Sequence, residues 1–177
     1  MARSSTKATV FWPLLAAALA LDVTTKLLAV SYLAPEYVPH PVLGDAVQLT
    51  LAYNPGASFG IGVGPYSRVV FIALAVAALV ILGRLYRAAA PDDRLRAAAL
   101  ALICAGATGN LIDRIRSPRG VVDFIDLGVG SMRFYTFNVA DMAITAGAVT
   151  LGLILWREDR RHALAQHALP ESQAASS

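Results

Sequence analysis

The sequence predicts an all-α integral membrane protein built on four transmembrane helices, and three observations carry that prediction. Of its 177 residues, 56% are hydrophobic and 15% charged, with a mean hydropathy of +0.57. Ordinary soluble domains hold roughly a quarter charged residues. Four apolar stretches approach the roughly 20 residues that a helix needs to cross hydrocarbon. The arginines are scattered at segment ends instead of forming a stripe.

The first stretch, Val10 to Leu33, would span roughly 36 Å at the helical rise, enough to cross a bilayer with some tilt. The others run over 69–86, 95–112 and 137–156. Residues 1–156 then form a single membrane domain, and 157–177 a polar tail expected to be disordered. Arg3 and Lys7 ahead of an apolar run resemble a cleavable signal peptide. The apolar character resumes after Lys26 and continues to Leu33, longer than a signal core, so a retained first helix is expected. Gly106, Gly109, Gly147 and Gly152 in the third and fourth stretches suit close helix packing in lipid.

Orientation follows from the basic residues. Arg3 and Lys7 precede the first helix, Arg84, Arg87, Arg94 and Arg96 surround the second connection, and Arg157, Arg160 and Arg161 follow the fourth helix. Residues 34–67 hold no lysine or arginine. Both termini and the second connection are therefore expected in the cytoplasm, with 34–68 and 113–136 outside. Arg114, Arg116, Arg119 and Arg133 break the pattern in the third connection, so local partners are expected for them. The outer connections are too patterned for linkers. "DAVQLTLAYNPGASFGIG" alternates and then breaks at Asn54-Pro55-Gly56, and "GVVDFIDLGV" reads as a second short strand, so a small sheet should rest on the outer membrane surface.

Several function classes fall away on composition. The single cysteine, Cys104, rules out a disulfide framework and a cysteine metal site. The histidines are His40, His162 and His167, the last two in the tail, and no HExxH is present, so neither a zinc hydrolase nor any other metal or cofactor site is expected. The net charge of +3 is dispersed, so nucleic acid is not an expected partner.

What remains is a set of polar residues inside apolar segments. An ionisable group in a spanning segment costs on the order of 2.5–3.5 kcal/mol on insertion scales, so it must face protein interior or a wet cavity. Asp22, Lys26, Asp113 and Asp141 qualify. Asp22 and Lys26, four apart, share a face and can pair; an internal ion pair is the simpler account and a substrate-orienting role the alternative. "GNLIDR" puts Asn110, Asp113 and Arg114 on one face, where Asn110 and Arg114 can donate hydrogen bonds inward and Asp113 can pair with a nearby arginine. The competing account is a polar helix end with Arg114 snorkelling.

"FNVAD" sets Asn138 three residues before Asp141, and Asp123 lies on the same side of the membrane, 18 residues earlier in the chain. Two carboxylates brought together at a dry site cannot both ionise easily, so one becomes an acid and the other a base, as in aspartic proteases. Asp126 is a competing candidate, at a strand-like spacing of three that should point it away from the face of Asp123. A serine–lysine pair through Ser58 and Lys26 is conceivable, but "NPGASFG" reads first as a turn. A proton-coupled transporter using Asp22, Lys26 and Asp141 as a relay is a reading from another class; it requires charge spread through the membrane depth, whereas these residues gather toward one face. A plain membrane scaffold leaves the buried charges unexplained.

Five blocks in order, "DVTTK", "YNPGASFG", "GNLIDR", "VVDFID" and "FNVAD", together with the four-helix hydropathy, give the chain a specific resemblance to the bacterial lipoprotein signal peptidases (signal peptidase II) over residues 10–156. The resemblance implies four transmembrane helices with a small periplasmic β-cradle and a short periplasmic helix. It implies a membrane-embedded aspartyl endopeptidase in the inner membrane; a monomer is expected, although the sequence itself does not reveal the oligomeric state. Its substrates would be diacylglyceryl-modified prolipoproteins, cut just before the lipidated cysteine, with membrane lipids around it. Carried over by motif, Asp123 and Asp141 are the catalytic pair, and Asp22, Lys26, Asn54, Gly56, Asn110, Arg114, Asn138 and Ala140 support it or the substrate.

Overall fold

The computed structural model describes residues 6–56 and 64–167. Four helices, α1 (Thr6–Tyr32), α2 (Ser67–Ala88), α3 (Arg94–Arg116) and α4 (Val139–His167), are long and apolar enough to cross a membrane. Between α1 and α2 lie β1 (Pro39–Leu43) and β2 (Val47–Asn54), and between α3 and α4 lie β3 (Val121–Val129) and β4 (Met132–Arg133). They form one antiparallel sheet in the order β1-β2-β3-β4. Both strand-forming connections leave the same end of the bundle, so the sheet covers that end. A 3-10 turn, Gly64–Tyr66, leads into α2 there.

α3 is the central helix. Its small residues Ala97, Ala99, Ala101, Ala105, Gly106 and Gly109 are buried, and close backbone approach is what binds helices when lipid removes the hydrophobic incentive. A side chain at Gly106 would meet the Ala140 carbonyl and one at Gly147 the Ala99 carbonyl, whereas Gly152 faces open space. The expectation that all four glycines pack therefore fails at Gly152, which points out of the bundle. α2 fully buries only Ser67 and Leu82, packs Leu79 and Tyr86 partly against the core, and turns much of its remaining apolar surface outward. At the end away from the sheet, Phe11, Leu82, Ala97, Leu100, Ala101 and Cys104 pack together. There the Lys7 ammonium donates to the carbonyls of Tyr86, Arg87 and Ala89, satisfying the open C-terminus of α2. At the sheet end, Ala29, Leu33, Leu51, Val122 and Phe124 seat the sheet on α1.

Helix boundaries differ from the hydropathy edges for identifiable reasons. α4 begins at Val139 because Phe137 is bridged to Ile125 of β3 and Asn138 serves as the cap. The tail expected to be disordered from residue 157 is helical through His167. Arginine, glutamate and alanine are good helix formers even where hydropathy has ended. Glu158 also accepts from Arg96 Nη2 at 2.5 Å, and Arg160 lies over the Trp156 ring.

Three of the four arginines of the third connection have local partners. Arg119 pairs with Glu36 and stacks on Tyr53, Arg133 pairs with Asp126 and Asp45, and Arg114 donates to the carbonyls of Asn110 and Gly56; Arg116 is exposed.

Candidate active site

The site forms where the C-terminal turns of α1 and α3, the start of β3 and the N-terminus of α4 meet. β3 lies antiparallel to β2 with Asp123 opposite Ala52 and Val121 opposite Asn54. On its other edge, Phe124 and Ile125 donate backbone bonds to the Phe137 carbonyl, and Phe137 N–H donates to Ile125. This bridge brings the residue after Phe137 alongside Asp123. Asn138, with no exposed surface, donates from Nδ2 to Asp123 Oδ1 at 2.7 Å and to the Val122 carbonyl.

Asn138 and Asp141 form a reciprocal cap. Asn138 Oδ1 accepts from Asp141 N–H at 3.0 Å, and Asp141 Oδ2 accepts from Asn138 N–H at 3.2 Å. This is the capping-box pattern in an Asn-x-x-Asp version. A further N-terminal donor of α4, Ala140 N–H, is taken by Asp22 Oδ1 at 2.8 Å from α1. The positive end of α4 thus receives carboxylates from two directions. Gly109 makes room for this contact, since a side chain there would collide with the Asp22 carboxylate.

The remaining oxygens of the pair receive amide donors. Asn110 Nδ2 donates to Asp141 Oδ1 at 2.9 Å, and Asn54 Nδ2 donates to Asp123 Oδ2 at 3.2 Å. Asn54 Oδ1 takes the Gly56 N–H, and Arg114 Nη2 holds the Gly56 carbonyl, so the Asn54-Pro55-Gly56 turn is fixed against α3. Asp123 is only 3% exposed. Its carboxyl is pushed up from 3.8 to about 7, by burial first and by the Asp141 charge second, against the donor bonds from Asn138 and Asn54 and the charge of Lys26.

All ten residues named from the motifs fall in or beside this cluster. Asp22 and Lys26 pair at 2.9 Å, as their spacing suggests. The expected arginine partner of Asp113 is replaced by Lys26, 2.9 Å away, because α1 packs directly on α3 and Arg114 turns toward Gly56. Asp126 occupies the opposite face of β3, bound by Arg133 and Thr50. Ser58 lies outside the described residues, and the Lys26 ammonium is engaged in ion pairs with Asp22 and Asp113 and donates to Asn110. Among the described residues no group of histidine, cysteine and carboxylate side chains could hold a metal. The signals sequence reasoning lacked were the backbone bridge of Phe137 to β3 and the reach of Lys26 to α3, neither of which has a periodicity to reveal it.

A cavity of about 750 Å³ opens beside the cluster. It runs from Phe134, Tyr135 and Phe137 past Asp141 and down α4 to Val149 and Thr150. Its lining is mainly apolar with one carboxylate at the rim.

The signal peptidase (SPase) II family model matches residues 14–157. A lipoprotein signal peptidase of Geobacter sulfurreducens is 39% identical over 146 residues, covering 82% of this chain and 90% of that one. That of Hydrogenovibrio crunogenus is 42% identical over 132 residues, covering 71% and 74%. A solved bacterial membrane enzyme structure superposes with a TM-score of 0.74 at 27% identity, covering 82% of this chain and 87% of its own. With the four spanning helices, the cap-bridged aspartates and these likenesses together, the chain belongs to the signal peptidase II family of multi-pass bacterial membrane peptidases.

Proposed function

We propose that this peptidase is an aspartyl endopeptidase that removes the signal peptide of diacylglyceryl-modified prolipoproteins just before the lipidated cysteine, with Asp123 and Asp141 as its catalytic pair. The observation that carries this reading is Asn138, whose backbone and side chain touch both carboxylates. Both carboxylates accept from N–H donors. An asparagine N–H cannot accept a proton, so the O–H of a protonated member must turn toward the open side, where water and the peptide arrive. The raised position of Asp123 supports it as the proton-bearing member and Asp141 as the base.

In the reaction, Asp141 takes a proton from water as the water oxygen attacks the scissile carbonyl carbon. Asp123 gives its proton to the carbonyl oxygen. Collapse of the resulting gem-diol breaks the C–N bond as a proton passes to the leaving amine of the cysteine. The products are the signal peptide carboxylate and a free N-terminal cysteine. A diacylglyceryl anchor fixes the scissile bond at leaflet depth, and the apolar cavity along α4 fits the membrane-embedded part of such a substrate. Anchoring raises effective concentration and supplies orientation. The reading includes the periplasmic side as the location of the sheet end and the cytoplasm as that of both termini, on the basic-residue distribution.

The test is incubation with a diacylglyceryl-modified precursor and its unmodified twin. Only the first should be cut, with mass spectrometry placing the new N-terminus at cysteine. Asp123→Asn and Asp141→Asn should each lower turnover by about 10²–10⁴-fold. Wild-type turnover by either removes the pair from the mechanism.

A further inference from the structure

Asp113 stands outside the carboxylate pair and outside the supporting residues carried over by motif, yet it is connected to both. Its Oδ2 lies 2.9 Å from Lys26 Nζ and accepts from Val122 N–H, next to Asp123, at 3.3 Å. Lys26 is 3% exposed, so its ammonium needs a partner for every N–H. It forms ion pairs with Asp22 Oδ2 at 2.9 Å and Asp113 Oδ2 at 2.9 Å and donates a hydrogen bond to Asn110 Oδ1 at 2.8 Å. Asp22 sits one turn back on the same helix and by itself would hold the ammonium against α1. Asp113 supplies the attraction toward α3, and Asn110 lies one turn before Asp113 on that helix.

The consequence falls on the Asn110 carboxamide, whose two ends differ chemically but hardly in shape. Its Oδ1 accepts from Lys26 and, at 3.2 Å, from Asn138 Nδ2. Its Nδ2 is then the end that faces Asp141. A half-turn of the amide would set an oxygen against the Asp141 carboxylate and an NH2 against two other donors. Without the ammonium, only the weaker Asn138 bond opposes that half-turn at the oxygen end.

We propose that Lys26 and Asp113 are a positioning pair that locks the Asn110 carboxamide, and through it holds the Asp141 carboxylate in the orientation needed for proton transfer. The proposal rests on the reading of Asp123 and Asp141 as the catalytic pair. Neither positioning residue touches substrate; both act through Asn110. A displacement of about 1 Å at a reacting group can cost about 10²-fold in rate, so the effect belongs in kcat.

The test uses the full-length enzyme with a lipidated precursor, measuring kcat, KM and the thermal midpoint on the same samples. Asp113→Ala should lose about 10²-fold in kcat with KM within about twofold. Asp113→Asn, which keeps an oxygen for Lys26 and for Val122 N–H, should recover most of that loss. The neutral variant Asp22→Asn/Lys26→Met/Asp113→Asn removes the buried charges together while keeping acceptors for Ala140 and Val122. It should keep the wild-type midpoint yet remain about 10²-fold slow, because nothing then fixes Asn110. Wild-type kcat in Asp113→Ala, or recovery of kcat in the neutral variant, would reduce the pair to charge balance and overturn the proposal. Should the neutral variant not fold, the kcat of Asp113→Ala decides alone. Turnover lost in Asp123→Asn and Asp141→Asn but kept in Asp113→Ala sinks this proposal only; turnover kept in the first two sinks the catalytic reading itself.

Discussion

At the scale of single residues, Asp123 carries the main electrostatic prediction. With its carboxyl raised to about 7, it bears the proton that peptide cleavage needs below that pH and loses it above. A pH series on a lipidated precursor should therefore show kcat/KM falling as pH rises through about 7. The same shift has a stability sign. The folded state binds more protons than the unfolded state between about 3.8 and 7, so stability is full below that window and lost as pH rises through it. Thermal midpoints followed from pH 4 to 8 should decline over that range and level off above, and Asp123→Asn should flatten the slope. Asn138 is the other decisive residue. Asn138→Ala removes the α4 cap, worth about 1–2 kcal/mol, and both bridges to the aspartates, so it should lower the midpoint and abolish turnover together. The residue types and spacings of "FNVAD" and "VVDFID" were legible in the sequence. That one asparagine joins the two aspartates was not, because the bridge depends on β3 and the α4 cap lying side by side.

At the scale of elements, glycine positions separate packing from coincidence. Gly106→Ala would press on the Ala140 carbonyl and Gly109→Ala on the Asp22 carboxylate, whereas Gly152→Ala would meet nothing. Melting in detergent should show the first two destabilised by about 1–3 kcal/mol and the third unchanged or slightly gained through helix propensity. Gly109→Ala should also slow turnover, since it displaces the carboxylate that caps Ala140 and pairs with Lys26. The hydropathy pattern marks all four helices within a few residues at most ends. It marks β2 and β3 through alternation and turn residues, but not β1, whose two prolines hide it, nor the two-residue β4. The extension of α4 to His167 escapes hydropathy because helix propensity and membrane partition are different properties.

At the scale of the molecule, polar chemistry is confined to one end of an apolar bundle. Asp22, Lys26, Asp113 and Asp141 all lie in the helix turns nearest the sheet, with no lysine, arginine, aspartate or glutamate at 8–21, 69–83, 97–112 or 142–156. That distribution suits chemistry at one leaflet and leaves no relay across the bilayer. The basic residues predict its direction. An impermeant thiol reagent added to intact spheroplasts should label Ser131→Cys, an exposed turn beside the sheet, and should leave Arg160→Cys unlabelled until the membrane is broken. The native Cys104 is buried and should stay silent in both.

By itself the sequence determined four crossings, a patterned cap at one end of the bundle and the identity of the polar residues, because transfer of side chains between water and lipid is a local property that each stretch carries in its own composition. Only the tertiary structure decided which polar groups face one another. Asp22 caps a helix more than a hundred residues away, Asp113 pairs with Lys26 instead of an arginine, and Asn138 stands between two aspartates from different elements. Those choices depend on how closely α1 and α4 can approach α3, a matter of packing geometry summed over the bundle and written at no single position.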